Sequence, residues 1–385
     1  MVGGNSDRVA VFSAASIFLS FAMPASMLGV VWPDVRTRFA QSVGTLGLVS
    51  FIYGVSRMST CASGRFSVRR FGMGRALIAG MAILSVLCVA LSASSSWPMF
   101  LMAVAGVGVA SGMLDSVGAA FITNLGDVSR AGLIHGSYGV GATLGPLVVA
   151  VVVGWRPAML ISALICFSAL LVTVRVRHSW PPINHHVQGV SGATSMARNP
   201  ALLSVALFAT FVAIEVTTGQ WAHTYLTDSR NLSDWVAAVG VAAFWGGITT
   251  GRLVLANRRA AVFADRVGLP AFAVGAVAAL LLLAVLPAAL CVGVLLVAGL
   301  SLAPIIPALF ATTATRIGVQ HAQRMAGWQL LAANTGAIAA PSLTGVLVDA
   351  VGPGVVVVIA TALAAIGVPL LVATTRAASP VVATG

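Results

Sequence analysis

The sequence predicts an all-α membrane protein of twelve transmembrane helices, arranged as two pseudo-symmetric six-helix bundles. Three observations predict it. Of 385 residues, 59% are hydrophobic and 8% charged, with a mean hydropathy of +1.01. A soluble domain carries about 25% charged residues, so this apolar surface needs lipid as its solvent. The apolar runs recur at the length a bilayer demands, about 20 residues each. The charges fall on the connecting segments, with a strong bias to one side.

Breaking the apolar runs at Pro, Gly and charge clusters places the first six spans near 9–31, 42–63, 74–95, 98–122, 132–153 and 156–174. The first follows a single Arg8 and no small-residue cleavage site, so it is expected to be retained in the mature protein. The second set falls near 201–226, 235–257, 268–286, 288–311, 325–348 and 351–373. Between the sets, His178 to Pro200 is the longest polar, Pro- and Gly-containing stretch and reads as a linker. The expected organisation is therefore an N-terminal bundle over 1–175, a cytoplasmic linker over 176–200 and a C-terminal bundle over 201–385.

With both termini on the cytoplasmic side, the loops there carry a net +12 and the opposite loops none. The outer charges are Arg36, Arg38, Arg156 and Arg230 against Asp34, Asp228, Asp234 and Asp349. That asymmetry predicts an even number of spans with both ends in the cytoplasm. The pI of 11.4 accordingly belongs to cytoplasmic loops and not to a nucleic-acid surface.

Several chemistries are excluded. All 21 basic residues are Arg, and without Lys there is neither a P-loop nor a Schiff-base lysine. Cys61, Cys88, Cys166 and Cys291 lie unpaired in apolar stretches and read as small packing residues. His178, His185 and His186 lack Cys or carboxylate companions, so no metal site is expected. His135 and His223 lie near span ends, where they can modulate a pH response. No nucleophile and base stand together, and the chain is not expected to be an enzyme. Trp32, Trp97 and Trp180 fall at span ends and are expected to anchor in the interface.

The two halves repeat one another. The fifth span contains Gly141-Ala-Thr-Leu-Gly145-Pro146 and the eleventh Gly336-Ala-Ile-Ala-Ala340-Pro341. The second ends in Gly64-Arg65-Phe66, followed by Arg69, Arg70 and Gly72; the eighth ends in Gly251-Arg252-Leu253, followed by Asp265, Arg266 and Gly268. Small residues four apart let helices approach closely, and Pro loosens the backbone where a rocking helix bends.

These residues resemble the major facilitator superfamily, and within it the fucose:proton symporter branch. The resemblance is carried by Trp32-Pro33-Asp34-Val35-Arg36, Gly112-Met-Leu-Asp115, His135 to Gly141 with Gly145-Pro146-Leu147, and Glu215 to Gly219-Gln-Trp221. Phe244-Trp245 to Gly251-Arg252, Ala303-Pro304-Ile-Ile-Pro307 and Asn334-Thr-Gly336 complete it. It implies the major facilitator fold, alternating access, a monomer, no organic cofactor and a coupling ion that is a proton. Val68 stands where many members carry Asp, and the first span has no ionisable residue between Arg8 and Asp34, where the fucose transporter has an acid.

An ionisable side chain inside a span costs at least about 2.5–3.5 kcal/mol at mid-helix, which makes it a candidate functional group. Glu215 lies about 14 residues into span seven, roughly 21 Å from its cytoplasmic end. It is the first candidate for carrying the coupled proton, against a purely structural carboxylate. Asp115 and Arg57 lie at equal depth with opposite charge, which predicts a pair: either a transport carboxylate with a substrate-binding Arg57, or a static lock.

Gly64, Arg65, Arg69, Arg70, Gly251, Arg252, Asp265 and Arg266 form the expected cytoplasmic gate. Tyr53, Tyr138, Gln220, Trp221, Trp245, Gln329 and Asn334 are polar or aromatic groups in apolar helices, suited to solute hydroxyls and flat faces, with packing between helices as the alternative for each. Gly219 is where span seven is expected to unwind. The leading function is proton-coupled symport of a sugar or other small polar solute. The alternative is proton-antiport export of drug-like or natural-product compounds, favoured by the Gly141 to Pro146 motif, which resembles one common in antiporters.

Overall fold

The computed structural model describes residues 4–61, 64–125, 128–152, 154–180, 198–255 and 268–377, and every regular element among them is a helix. The first half holds α1 (Gly4–Arg38), α2 (Leu46–Cys61), the short α3 (Gly64–Phe71), α4 (Met73–Ala93), α5 (Trp97–Leu125), α6 (Val128–Val151) and α7 (Trp155–Arg175). The second holds α8 (Arg198–Thr224), α9 (Asp234–Leu255), α10 (Leu269–Val285), α11 (Cys291–Leu302), α12 (Ile305–Ala311), the short α13 (Thr313–Ile317), α14 (Val319–Val351) and α15 (Val355–Ala377). With α11 and α12 as one crossing and α3 and α13 as connectors, the described residues make twelve crossings. Ten of them are long and apolar enough on their own to span a bilayer. The chain is an integral membrane protein. Its described ends meet on one face, here the terminal face; the opposite one is the far face.

Each half closes on itself through the helix pairs that its small residues allow. In the first, α1 packs on α6, α2 on α5 and α4 on α7; in the second, α8 packs on α14, α9 on α11 and α10 on α15. The repeated glycines explain the correspondence. A side chain at Gly141 of α6 would run into the Leu19 carbonyl of α1, and one at Gly336 of α14 into the Ala209 carbonyl of α8. Backbone touches backbone at equivalent places in both halves, which only Gly permits.

Lipid cannot hydrogen-bond to helix ends, so arginines at the far face do it. Arg156 donates to the Ser94 carbonyl at 2.9 Å, closing the end of α4. Arg230 donates to Ala284 at 2.7 Å and to Leu286, closing the end of α10. Cationic groups there also complement the negative end of each helix dipole.

Four details differ from the sequence reading. The first span runs on through Trp32-Pro33-Asp34 to Arg38, because Trp32 and Val35 are buried and extend the apolar face. Trp32 and Trp180 are not interface anchors: Trp32 donates to the Val43 carbonyl at 2.8 Å and packs with Trp97, Phe39, Phe100 and Trp155 in one aromatic cluster, and Trp180 packs edge-on against Phe121. Span ten breaks between α11 and α12, where Pro304 has no N–H to continue the ladder. Span seven stays helical through Gly219 and changes to a π-helical turn only at Tyr225–Ser229.

The halves meet where α6 packs on α9, α2 on α14 and α1 on α8. At the far face the Asp349 carboxylate at the end of α14 accepts from Ser42 Oγ at 2.6 Å and from the Gly44 N–H at 2.7 Å, at the entry to α2. Arg36 of α1 pairs with Asp228 beyond α8 at 3.1 Å. These contacts join the two halves at the far face.

Candidate functional site

Among the described residues, two ion pairs lie inside the membrane-spanning part, one in each half. Arg57 of α2 donates to Asp115 of α5 at 2.7 Å. The approach is set locally: Gly112, one turn before Asp115, lies directly on the Arg57 carbonyl, so the helices touch where the charges must meet. Arg252 of α9 donates to both oxygens of Glu215 on α8, at 2.9 and 3.2 Å. A charge-assisted pair with both carboxylate oxygens engaged is the arrangement in which a buried ionised Glu is tolerated.

The second pair adds a partner that was not expected for Arg252: from near the end of α9 its long side chain reaches the candidate proton carrier on α8. Glu215 is 10% exposed and Arg252 37%, so the carboxylate is sealed behind its partner. His135 of α6 lies within electrostatic reach of both Asp115 and Arg252, with its ring edge-on to Phe18 at 5.7 Å.

Above these charges the halves enclose a cavity of about 80 Å³, room for roughly half a dozen waters. Helical spacing builds its walls. Ser50, Tyr53, Gly54 and Arg57 form one stripe of α2; Ala22, Ala25 and Ser26 one of α1; Val216, Gly219 and Gln220 one of α8; Asn334, Ala337 and Ile338 one of α14. Tyr138 and Ala142 come from α6, and Trp245 from α9. Gly219 is needed as a floor, since a side chain there would collide with the indole of Trp245.

Of the expected solute-site residues, the structure brings Tyr53, Arg57, Tyr138, Gln220, Trp245 and Asn334 around this cavity. It places two elsewhere. Trp221 is buried on the other face of α8, donating to the Pro341 carbonyl at 3.0 Å and tying α8 to α14. Gln329 is buried in a polar cluster, its amide donating to Ser204 at 2.8 Å and to Thr313 at 2.9 Å. Ser50, absent from the sequence reading, is found by its register: 50, 53, 54 and 57 share one helix face.

Asp265, Arg266, His185 and His186 lie outside the described residues, as do the side chains of Arg65 and Arg69. Gly64 begins α3, and Arg70 is exposed near its end. Gly251 packs on Ala303 beside the break in span ten. Cys88, Cys166 and Cys291 are buried free thiols.

Comparison with known proteins gives the family profile described as Major Facilitator Superfamily over residues 14–341. Among curated proteins, "Bypass of stop codon protein 6" of Saccharomyces cerevisiae is 24% identical over 282 residues, 64% of this chain and 56% of the yeast protein. The chain therefore spans little more than half the length of that relative. Among solved structures, the nucleoside transporter NupG (a point mutant) superposes with a TM-score of 0.73 at 14% identity, covering 96% of this chain and 99% of that one. The peptide transporter POT (a point mutant) gives 0.75 at 14% identity, covering 96% and 95%. A bacterial homologue of the human lysosomal transporter Spinster, inward-facing and unoccupied, gives 0.70 at 14% identity, covering 98% and 95%.

Proposed function

As the chain belongs to the Major Facilitator Superfamily and is a membrane transporter of that type, we propose that it moves a small polar solute through the central cavity by alternating access, in symport with protons. Both termini are then cytoplasmic in a bacterial inner membrane, the carrier is a monomer, and the closed far face makes this the inward-facing state. The observation that carries the reading is the Glu215–Arg252 pair beside a cavity between the two halves.

Glu215 and Arg252 together carry no net charge, and the pair locks α8 to α9. A proton delivered to Glu215 cancels its charge and removes the reason for Arg252 to stay. The guanidinium is then free to turn away from α8, with His135 of α6 already within its electrostatic reach. Loss of the proton on the terminal side restores the pair. Solute binding and proton binding thus act on the same two helices, because Gln220 of α8 and Trp245 of α9 line the cavity. No covalent step is involved; the chemistry is the exchange of one partner for another around a buried carboxylate.

The test is lumenal pH in proteoliposomes loaded with a pH-sensitive dye, on adding a panel of sugars and then a panel of amphiphilic drugs. Acidification driven by a sugar, absent in Glu215→Gln while solute exchange persists, is the expected result. Silence with every sugar, together with proton movement opposite to drug flux, would transfer the protein to the exporter class.

A further inference from the structure

Pro24 leaves α1 one hydrogen bond short. It has no N–H, so the Ser20 carbonyl one turn back has no donor within the helix. The Ser20 hydroxyl does not replace it, since it donates to the Ile17 carbonyl at 2.9 Å and to Met81 Sδ of α4 at 3.9 Å. The donor comes from α7. Cys166 Sγ donates to the Ser20 carbonyl at 3.6 Å, and the same sulfur shares a hydrogen bond with Cys88 of α4. Both cysteines are free thiols and fully buried, in the core where α1, α4 and α7 pack on one another.

Two cysteines with no paired spacing in the sequence therefore stand side by side in the first half, outside the cavity wall and both ion pairs. Thiolate sulfur selects soft metal ions. A structural Zn(II) site needs four ligands, and among the described residues no group of three or more His, Cys, Asp or Glu could hold an ion. Hg(II) is soft and bonds two sulfurs in line. The charge balance favours it as well: Hg2+ and two thiols give S–Hg–S and two protons, and the complex is neutral. A net charge would be costly here, beside the uncharged Ser20 and Met81. Val86 of α4 and Leu164 and Phe167 of α7 are exposed on the outer surface, so the helices that hold the pair border the lipid, which uncharged HgCl2 enters.

We propose that Cys88 and Cys166 form a two-coordinate site for a soft divalent metal ion of the Hg(II) class, and that Cys166 positions α1 through the carbonyl that Pro24 frees. Filling the site replaces each S–H by an S–Hg bond, the two protons leave to solvent, and the Ser20 carbonyl loses its donor. The next turn of α1 gives Ala22, Ala25 and Ser26 to the cavity wall, so the metal acts on that wall from behind. The proposal stands independently of the solute and of the coupling ion.

The experiment uses the full chain, purified in detergent, with Cys61 and Cys291 replaced by Ser. HgCl2 is dialysed against it in excess 2-mercaptoethanol, a monothiol that strips single cysteines. One Hg(II) per chain is expected to remain, with two sulfur neighbours by X-ray absorption. Cys88→Ser and Cys166→Ser are each expected to weaken retention about a hundredfold or more, since a single thiol has no advantage over its competitor. The second readout is amide hydrogen exchange, by mass spectrometry, of the α1 peptide around Pro24. Hg(II) is expected to raise it several-fold in the protein with both thiols, because a carbonyl without a donor loosens the kink. Cys166→Ala raises it without metal, and Cys166→Ser, which keeps a donor, does not. Retention indifferent to both Ser substitutions, one ion held on each thiol, or Zn(II) held as tightly as Hg(II) overturns the site. Unchanged exchange with the ion in place, or equal exchange in Cys166→Ala and Cys166→Ser, overturns the positioning role.

Discussion

At the scale of single residues, the same type of side chain plays two parts, and contacts decide which. Gln220 and Gln329 are both amides in apolar helices, indistinguishable in sequence. Gln220 lines the cavity and donates to the Ala25 carbonyl of α1, while Gln329 spends its amide on Ser204, 125 positions away, and on Thr313. Gln329→Ala is accordingly expected to lower thermal stability by about 1–2 kcal/mol, through two interhelical hydrogen bonds, with no change in solute affinity. Unfolding midpoint and binding measured on the same preparation check it; a selective loss of affinity would return Gln329 to the solute site. The Arg57–Asp115 pair was legible because opposite charges at one depth inside a membrane have few other ways to be neutralised. Breaking it by Arg57→Asp or Asp115→Arg is expected to cost about 1–3 kcal/mol, less than a fully buried pair because the two side chains are 24% and 31% exposed. The charge-swapped double variant is expected to regain stability without regaining transport, since Arg57 also lines the cavity. Recovered uptake would make the pair a lock and nothing more.

At the scale of helices, the repeat of Gly-x-x-x-Gly-Pro and Gly-x-x-x-Ala-Pro was readable because its cause is local: two backbones cannot touch over a side chain. Gly141 on Leu19 and Gly336 on Ala209 are that cause. Gly141→Val and Gly336→Val are each expected to push a helix pair apart and destabilise the half concerned by about 1–3 kcal/mol or more, as overpacking does. The loss should appear as a lowered midpoint or failed expression for both; a silent variant at either site would show that the helices repack. What sequence could not supply was anything set by a distant partner. Gly219 looked like a place to unwind, yet its bareness accommodates the indole of Trp245 from α9. Arg252 was expected near the cytoplasmic end of span eight as a gate residue, and only the fold shows Glu215 within its reach. Trp32 looked like an interface anchor, because the aromatic cluster it joins is built from α5 and α7 further along the chain, by Trp97, Phe100 and Trp155.

At the scale of the molecule, the far-face contacts tie the two halves to one another, and under the proposed alternating access they hold the far side closed. Arg36–Asp228 is a pair with both side chains about a quarter exposed, and such pairs contribute little. Asp349 is different in kind: one oxygen accepts from the buried backbone N–H of Gly44, at the positive end of the helical segment leading into α2, and the other from Ser42. A carboxylate from one half thus caps a helix of the other, and the cap exists only while the far face is shut. Its hydrogen bonds contribute on the order of 1 kcal/mol each at this partly exposed site. Removing them is expected to shift the balance toward the state open at the far face by about tenfold, since 1.4 kcal/mol corresponds to a factor of ten. The readout is the rate at which a membrane-impermeant maleimide reaches Ser26→Cys on the cavity wall, from the far side of oriented vesicles, in a background with Cys61, Cys88, Cys166 and Cys291 replaced. Asp349→Ala should raise that rate several-fold to tenfold and lower labelling from the terminal side. Asp349→Asn should fall between, keeping one acceptor without the charge. If both variants label like the parent from both sides, the cap is incidental and the closed state rests on the apolar packing of α2 against α14.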